Sequence, residues 1–188
     1  MAAPLPEVPF QGASFDLQEV ADTFTPPDGF RVEIIEGNLV VSPTPLGPRL
    51  RITSLLQDAL KDLAPGYLAV QHATLTIGAT GERYIPDLVL LPEPMLEEKR
   101  WKFPSHVAAL AVEVTSPSNA DTDRVKKLRG YALGEAPAYL LIDIDDGRWT
   151  LFEEPQAGVY RKQTRPSPEG ILHLPDPFTA PLDCSGIA

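Results

Sequence analysis

The chain has 188 residues, 43% hydrophobic and 22% charged, which suits one domain with a real core and argues against wholesale disorder. Its formal net charge of -10 weighs against a tight nonspecific nucleic-acid binder, since such binding rests on phosphate neutralisation. It leaves room for a local basic groove or for carboxylates that hold a cation, whereas the lone Cys184 excludes an intrachain disulfide framework and a thiolate-rich zinc site.

The start, "MAAPLPEVPF", has neither the basic residues nor the apolar run of a signal peptide, and no stretch is long and apolar enough for a membrane span. A cytoplasmic location is therefore expected. The 21 prolines gather in connections and at the two ends, so residues 1–29 read as an extended segment with a short helix. Residues 30–175 read as the folded domain and 176–188 as a coil-like tail.

"FDLQEVADT" is the short helix, with Ser14 as its cap. "GFRVEIIEGNLVVSP" is a hairpin around Glu36-Gly37-Asn38. "GPRLRITSLLQDALKDLAPG" is the clearest helix: Ile52, Leu55, Leu56, Ala59, Leu60 and Leu63 form one stripe, and Pro65-Gly66 ends it. "YLAVQHATLTI" is a strand or two, broken near Ala73, and "GATGE" turns the chain into the strand "RYIPDLVLL". "LPEPMLEEKRWKFPSH" is a surface connection, and "VAALAVEVTS", apolar on both faces, is a central strand. "PSNADTDRVKKLRGYALGE" is a helix capped by Ser118 with Asp121 three residues on, ending at Gly134, with Val125, Leu128 and Ala132 on its buried stripe. "AYLLIDID" is a buried strand and "WTLFEE" its hairpin partner, with "GVYRKQT" and "GILHL" as edge strands. The order predicts an α/β (α+β) sandwich, a mixed β-sheet flanked by helices, and not a regular dinucleotide-binding repeat. Neither a GxGxxG nor a phosphate loop is present.

Two acids stand out because each sits in an aliphatic run, where an unpartnered carboxylate is expensive. Alternation puts Asp87 on a face with Ile85, Val89 and Leu91, and Glu113 with Val107, Ala109, Ala111 and Thr115. Asp87 is early in its strand and Glu113 late, so antiparallel pairing would set them side by side. Adjacent carboxylates repel and hold protons more tightly unless a cation lies between them, and oxygen ligands of this kind suit Mg²⁺ or Mn²⁺. Taken singly, Asp87 could equally end a strand and Glu113 pair with an arginine. The following helix offers Asp123, Lys126 and Lys127. The helical wheel does not separate the two lysines, and Asp123 to Lys127 has the spacing of a surface i,i+4 ion pair.

Pro86-Asp87, Val112-Glu113-Val114, Ser116-Pro117-Ser118, Asp123 with Lys127-Leu128 and Tyr131, Pro137-x-Tyr139 and Leu141-Ile142-Asp143 resemble the Uma-two family of the PD-(D/E)XK nuclease superfamily. The resemblance runs from about Phe30 to Glu154 and includes "IIEGNLVVSPTP". It implies a restriction-endonuclease-like core and Mg²⁺-dependent (or Mn²⁺-dependent) hydrolysis of DNA phosphodiesters. It implies Asp87, Glu113 and the backbone carbonyl of Val114 as metal ligands. The superfamily's lysine two residues after the acid is Thr115 here, and the family pattern places Lys127 on the helix instead. Glu36 matches an acidic position of the family hairpin and is either a further carboxylate of the site or a turn residue. Arg49 stands where family members often have a histidine; it and Arg51 either contact phosphate or lie at a solvated helix start. Asp143 reads as a turn residue, and Arg124 and Arg129 as surface charges. The expected function is a metal-dependent endonuclease acting on DNA, with a homodimer as the expected assembly. The alternative is a non-catalytic interaction protein on the same scaffold.

Overall fold

A computed structural model describes residues 16–115 and 122–187. The hairpin forms as expected, β1 (Phe30–Ile35) against β2 (Asn38–Pro43). Its two turn residues, Glu36 and Gly37, both have positive φ (49° and 70°), the requirement of a turn whose twist matches the flanking strands. The short helix α1 (Leu17–Thr23) is capped by the Asp16 side chain, which accepts from the Gln18 N–H. The proposed cap Ser14 lies outside the described residues, as do Ser118, Asp121 and the Ser116-Pro117-Ser118 motif.

Helix α2 (Gly47–Leu60) follows, then β3 (Tyr67–Val70) and β4 (Thr74–Ile77), so the run 67–77 is indeed broken. The run 83–91 is not one strand. It divides into β5 (Glu82–Tyr84) and β6 (Leu88–Pro92), which belong to different sheets. Pro86, lacking an N–H, sits in the crossing between them, where no ladder bond is needed. The segment expected as plain connection also carries structure: a one-turn helix α3 (Glu93–Leu96) and β7 (Lys102–Pro104), which pairs parallel with β4. A 3₁₀ turn over Ser105–Val107 then leads into β8 (Leu110–Thr115), which starts three residues later than the apolar run.

One sheet is ordered β2-β1-β5-β4-β7. The other, β11-β10-β9-β8-β6-β3, comprises β9 (Ala138–Asp143), β10 (Arg148–Gln156) and β11 (Val159–Thr164) with the strands already given. It is mixed: β8 and β9 are parallel, and the other pairs antiparallel. On one face Ile52, Leu56 and Leu60 of α2 pack against Leu88, Leu90, Leu110, Val112 and Val114. On the other, Val89, Leu91, Ala111 and Tyr139 meet Leu75, Ile77 and Tyr84 of the first sheet and Tyr131 of the last helix. The alternation of β6 and β8 is thus amphipathic in neither direction, because both faces are covered. The C-terminal segment is not bare coil. Phe178, Leu182, Cys184 and Ile187 are buried beneath the α2 layer, and β13 (Leu182–Asp183) pairs with β12 (Ile171–Leu172). No helix among the described residues is long and apolar enough to cross a membrane.

The last helix departs from its expected face. Thr122–Lys127 is wound as a π-helix and continues as α4 (Leu128–Leu133), ending at Gly134, whose N–H reaches the Gly130 carbonyl at 2.9 Å. The wider winding shifts the register, so Val125 is 63% exposed while Asp123 and Lys127 are buried. The helix lies close to the first sheet at Gly130, where an added Cβ would overlap the Tyr84 phenol. Gly130→Ala is therefore expected to lower stability by about 1–3 kcal/mol through overpacking, read as a reduced midpoint in urea unfolding. An unchanged midpoint would mean that the helix is not held this close.

Candidate active site

The antiparallel register of β6 and β8 pairs Leu88 with Val112, and the Asp87 N–H donates to the Val112 carbonyl at 3.0 Å. Asp87 and Glu113 are therefore neighbours on one face at one end of the six-stranded sheet. The Val114 N–H donates to Asp87 Oδ2 at 2.8 Å. Both acids are buried, Glu113 completely.

Two cations approach from opposite elements. Arg49, in the first turn of α2, donates from Nε to Asp87 Oδ2 at 2.7 Å, and its Nη2 is 2.6 Å from the same oxygen and 3.5 Å from Glu113 Oε2. Lys127 places Nζ 2.8 Å from Glu113 Oε1, 2.7 Å from Glu33 Oε1 and 3.8 Å from Asp123 Oδ1. The Asp123–Lys127 pair is thus an interior one, not the surface pair its spacing suggests. Lys126 points outward and pairs with Glu36 at 3.3 Å. The hairpin acid that joins the cluster is Glu33, while Glu36 stays at the exposed turn, its backbone N–H bonded to the Glu82 carboxylate. Arg31 completes the set, 3.6 Å from Asp87 Oδ1 and 3.7 Å from Glu33 Oε2. The Tyr131 hydroxyl donates to Glu113 Oε1 at 3.2 Å, and Thr115 hydrogen-bonds the Asp123 side chain.

Asp143 acts at a turn, accepting the Asp145 N–H at 3.2 Å, and also pairs with Arg124.

Arg31 and Glu33 are the members that the sequence did not reveal. Alternating with Val32 and Ile34, they read as the wet face of a hairpin; that face is buried because the first sheet lies over the end of the second. The available signal was the charge pair itself, one residue apart on a strand face, and it is too common to single out.

Among the described residues, four buried carboxylates (Glu33, Asp87, Glu113, Asp123) face three cations (Arg31, Arg49, Lys127). Burial, reinforced by Asp123, Asp87 and Glu33 and only partly offset by Lys127, pushes the Glu113 carboxyl up to about 8. Glu33 is also penalised by burial, but the nearby Lys127 and Arg31 charges outweigh this and hold it below the usual range. Lys127 is held above its ordinary value because the surrounding acids outweigh its own desolvation. The folded protein thus binds a proton at Glu113 that the unfolded chain, titrating near 4.5, releases. Stability from this group is full below about pH 4.5 and is lost as pH rises toward 8. Thermal unfolding between pH 5 and pH 8 is expected to show a decline in Tm that is smaller in Glu113→Gln; identical slopes would exclude Glu113 as its source.

Asp87 Oδ1 is buried and makes no hydrogen bond among the described residues. Asp87 lines a cavity of about 100 Å³ together with Arg31, Thr53, His72 and Pro86, room for about three waters. Although three carboxylates converge on Lys127, no group of three or more His, Cys, Asp or Glu side chains among the described residues is arranged to hold a metal ion, so the candidate side-chain donors are Asp87 and Glu113. A hard divalent cation that keeps several waters suits such a set once Glu113 gives up its proton, with Asp87 Oδ1, which has Arg31 at 3.6 Å, as the oxygen on offer.

The fold matches that of a protein described as a putative nuclease belonging to DUF820 from Anabaena variabilis, with a TM-score of 0.66 and 19% identity over 81% of this chain and 85% of that one. Residues 17–184 match the sequence profile of the Uma2 family, described as putative restriction endonuclease, and the chain belongs to that family. No curated protein matches the chain significantly.

Proposed function

We propose that this protein is a divalent-cation-dependent endonuclease that hydrolyses phosphodiester bonds in DNA. The observation that carries the reading is the junction of Asp87 and Glu113 across β6 and β8, with Lys127 Nζ 2.8 Å from Glu113. Asp87, Glu113 and the Val114 carbonyl would hold Mg²⁺ or Mn²⁺. Bound there, the ion supplies Lewis-acid stabilisation of phosphoryl charge and a water of lowered pKa. Lys127, kept protonated by its acids, offers its ammonium to the attacking water or to the charge that grows on the phosphorane. Arg49 and the Val114 N–H fix Asp87 in one orientation through Oδ2 and leave Oδ1 for the cation.

A second reading, a non-catalytic scaffold, draws on Arg49, whose guanidinium already spans both carboxylates, and on Thr115 in place of the superfamily lysine. Calorimetric titration with Mn²⁺ separates the two. The enzyme reading expects binding that releases a proton, strengthens as pH rises toward 8 because Glu113 must ionise, and is lost in Asp87→Ala. Absence of any response at millimolar Mn²⁺ would leave the scaffold.

A further inference from the structure

Basic residues are unevenly placed on this acidic chain. Of its 16 lysines and arginines, six (Arg124, Arg129, Arg148, Arg161, Lys162 and Arg165) border two adjoining depressions. Among the described residues only one acid, Asp143, borders either. The larger depression, about 570 Å³, is a groove between the last helix and the β10–β11 hairpin, with Phe152 and Tyr160 among its lining. The smaller lies beside Asp143 and Arg148, and Arg124 borders both.

The topology gives this patch a direction. Glu113 and Asp143 lie toward the C-terminal ends of the parallel strands β8 and β9, Arg148 begins the antiparallel β10, and Arg165 follows the end of β11. All four therefore stand at the same end of the sheet. Three inter-strand spacings of about 4.8 Å put Arg165 roughly 14 Å from the acid strand, a distance covering about four phosphates of one DNA strand. Some of this charge is already used. Arg124 pairs with Asp143, Lys162 with Glu153 at 3.0 Å, and Arg148 with Asp146 at 2.9 Å. Among the described residues, Arg129, Arg161 and Arg165 make no ion pair, and all three are exposed. Arg161 Nε donates to Gln156 Oε1 at 2.9 Å, and the remaining N–H groups of these exposed guanidiniums offer the forked donors that phosphate oxygens accept.

We infer that this arginine-lined track, running from the carboxylate end of the sheet into the groove beside the last helix, receives the sugar-phosphate backbone of duplex DNA. The inference rests on the nuclease reading for its choice of partner, and charge complementarity supplies the contact. The net charge of -10 weighs less here, because six basic residues and one acid of the described residues border the two depressions.

The test is fluorescence anisotropy of a labelled 20-base-pair duplex without divalent metal over a salt series, comparing wild type with the triple variant Arg129→Ala, Arg161→Ala, Arg165→Ala. Plasmid nicking is measured in parallel. The variant is expected to bind at least about tenfold more weakly at low salt, with the log–log salt slope reduced by about 2 to 3. All three residues are exposed, so its thermal unfolding should match wild type. Equal affinity and slope in both proteins would overturn the track even if both nick DNA, and so would failure of wild type to bind the duplex at low salt. Weakened binding by the variant, with no nicking by wild type, would keep the track and remove the nuclease reading. Tighter binding of a polyglutamate peptide than of DNA, lost in the variant, would replace DNA by an acidic protein and overturn the assignment.

Discussion

Glu113→Gln is expected to lower plasmid nicking in Mg²⁺ or Mn²⁺ by at least about 100-fold, the upper range for removing even an indirect partner of a metal ligand. The fold should survive. The substitution keeps the shape of the side chain, and the Lys127 ammonium keeps Glu33 at 2.7 Å. With its carboxyl pushed up to about 8, Glu113 holds a proton at neutral pH, so the substitution exchanges a neutral acid for a neutral amide and adds no buried charge. Loss of activity with an intact unfolding transition would therefore report chemistry and not collapse. Nicking that continues at the wild-type rate would remove Glu113 from the mechanism, and with it the paired-acid site.

Lys127→Ala is expected to have the largest effect on stability. It leaves Glu33, Glu113 and Asp123 without their shared cation in a region closed to water, where breaking a buried pair costs about 3–5 kcal/mol. For a domain of this size that corresponds to a fall in Tm of roughly 6–20 °C. Lys127→Met keeps the aliphatic stem and should lose the same charge contribution, which separates charge from packing. Lys126→Ala, by contrast, removes an exposed pair to Glu36 and should change stability by less than about 1 kcal/mol. Turnover, compared well below each variant's Tm, should fall in Lys127→Ala and stay near wild type in Lys126→Ala. Equal effects of the two substitutions would undo the assignment of Lys127.

The acids were legible because a carboxylate within a run such as Ile85-Pro86-Asp87-Leu88-Val89 conflicts with its surroundings, and that conflict is local information. Their pairing was legible too, since an early and a late position meet when strands run antiparallel. The lysine was not. Choosing Lys127 over Lys126 from the residues alone requires the phase of the helix, and the π-wound turn over Thr122–Lys127 moves that phase away from the 3.6-residue wheel. The same shift turned Val125 outward and left the interior to two charged groups, against every rule of apolar periodicity. The division of 83–91 into two strands was hidden because an apolar run looks the same whether it continues in one sheet or passes to a second. Arg31 and Glu33 stayed hidden because burial of a hairpin face depends on what the rest of the chain lays over it.

The crossing at Ile85-Pro86-Asp87 has a practical consequence. Arg31 Nη1 donates to the Ile85 carbonyl at 3.0 Å, the Ile85 N–H donates to Glu33 Oε1 at 2.7 Å, and Glu33 in turn holds Lys127. Lys127, the ammonium proposed to serve hydrolysis, thus also belongs to the ion network that bolts the two β-layers together. A dead-protein control for work in cells should accordingly be Glu113→Gln; neutralising Lys127 or Glu33 would confound lost cleavage with lost protein.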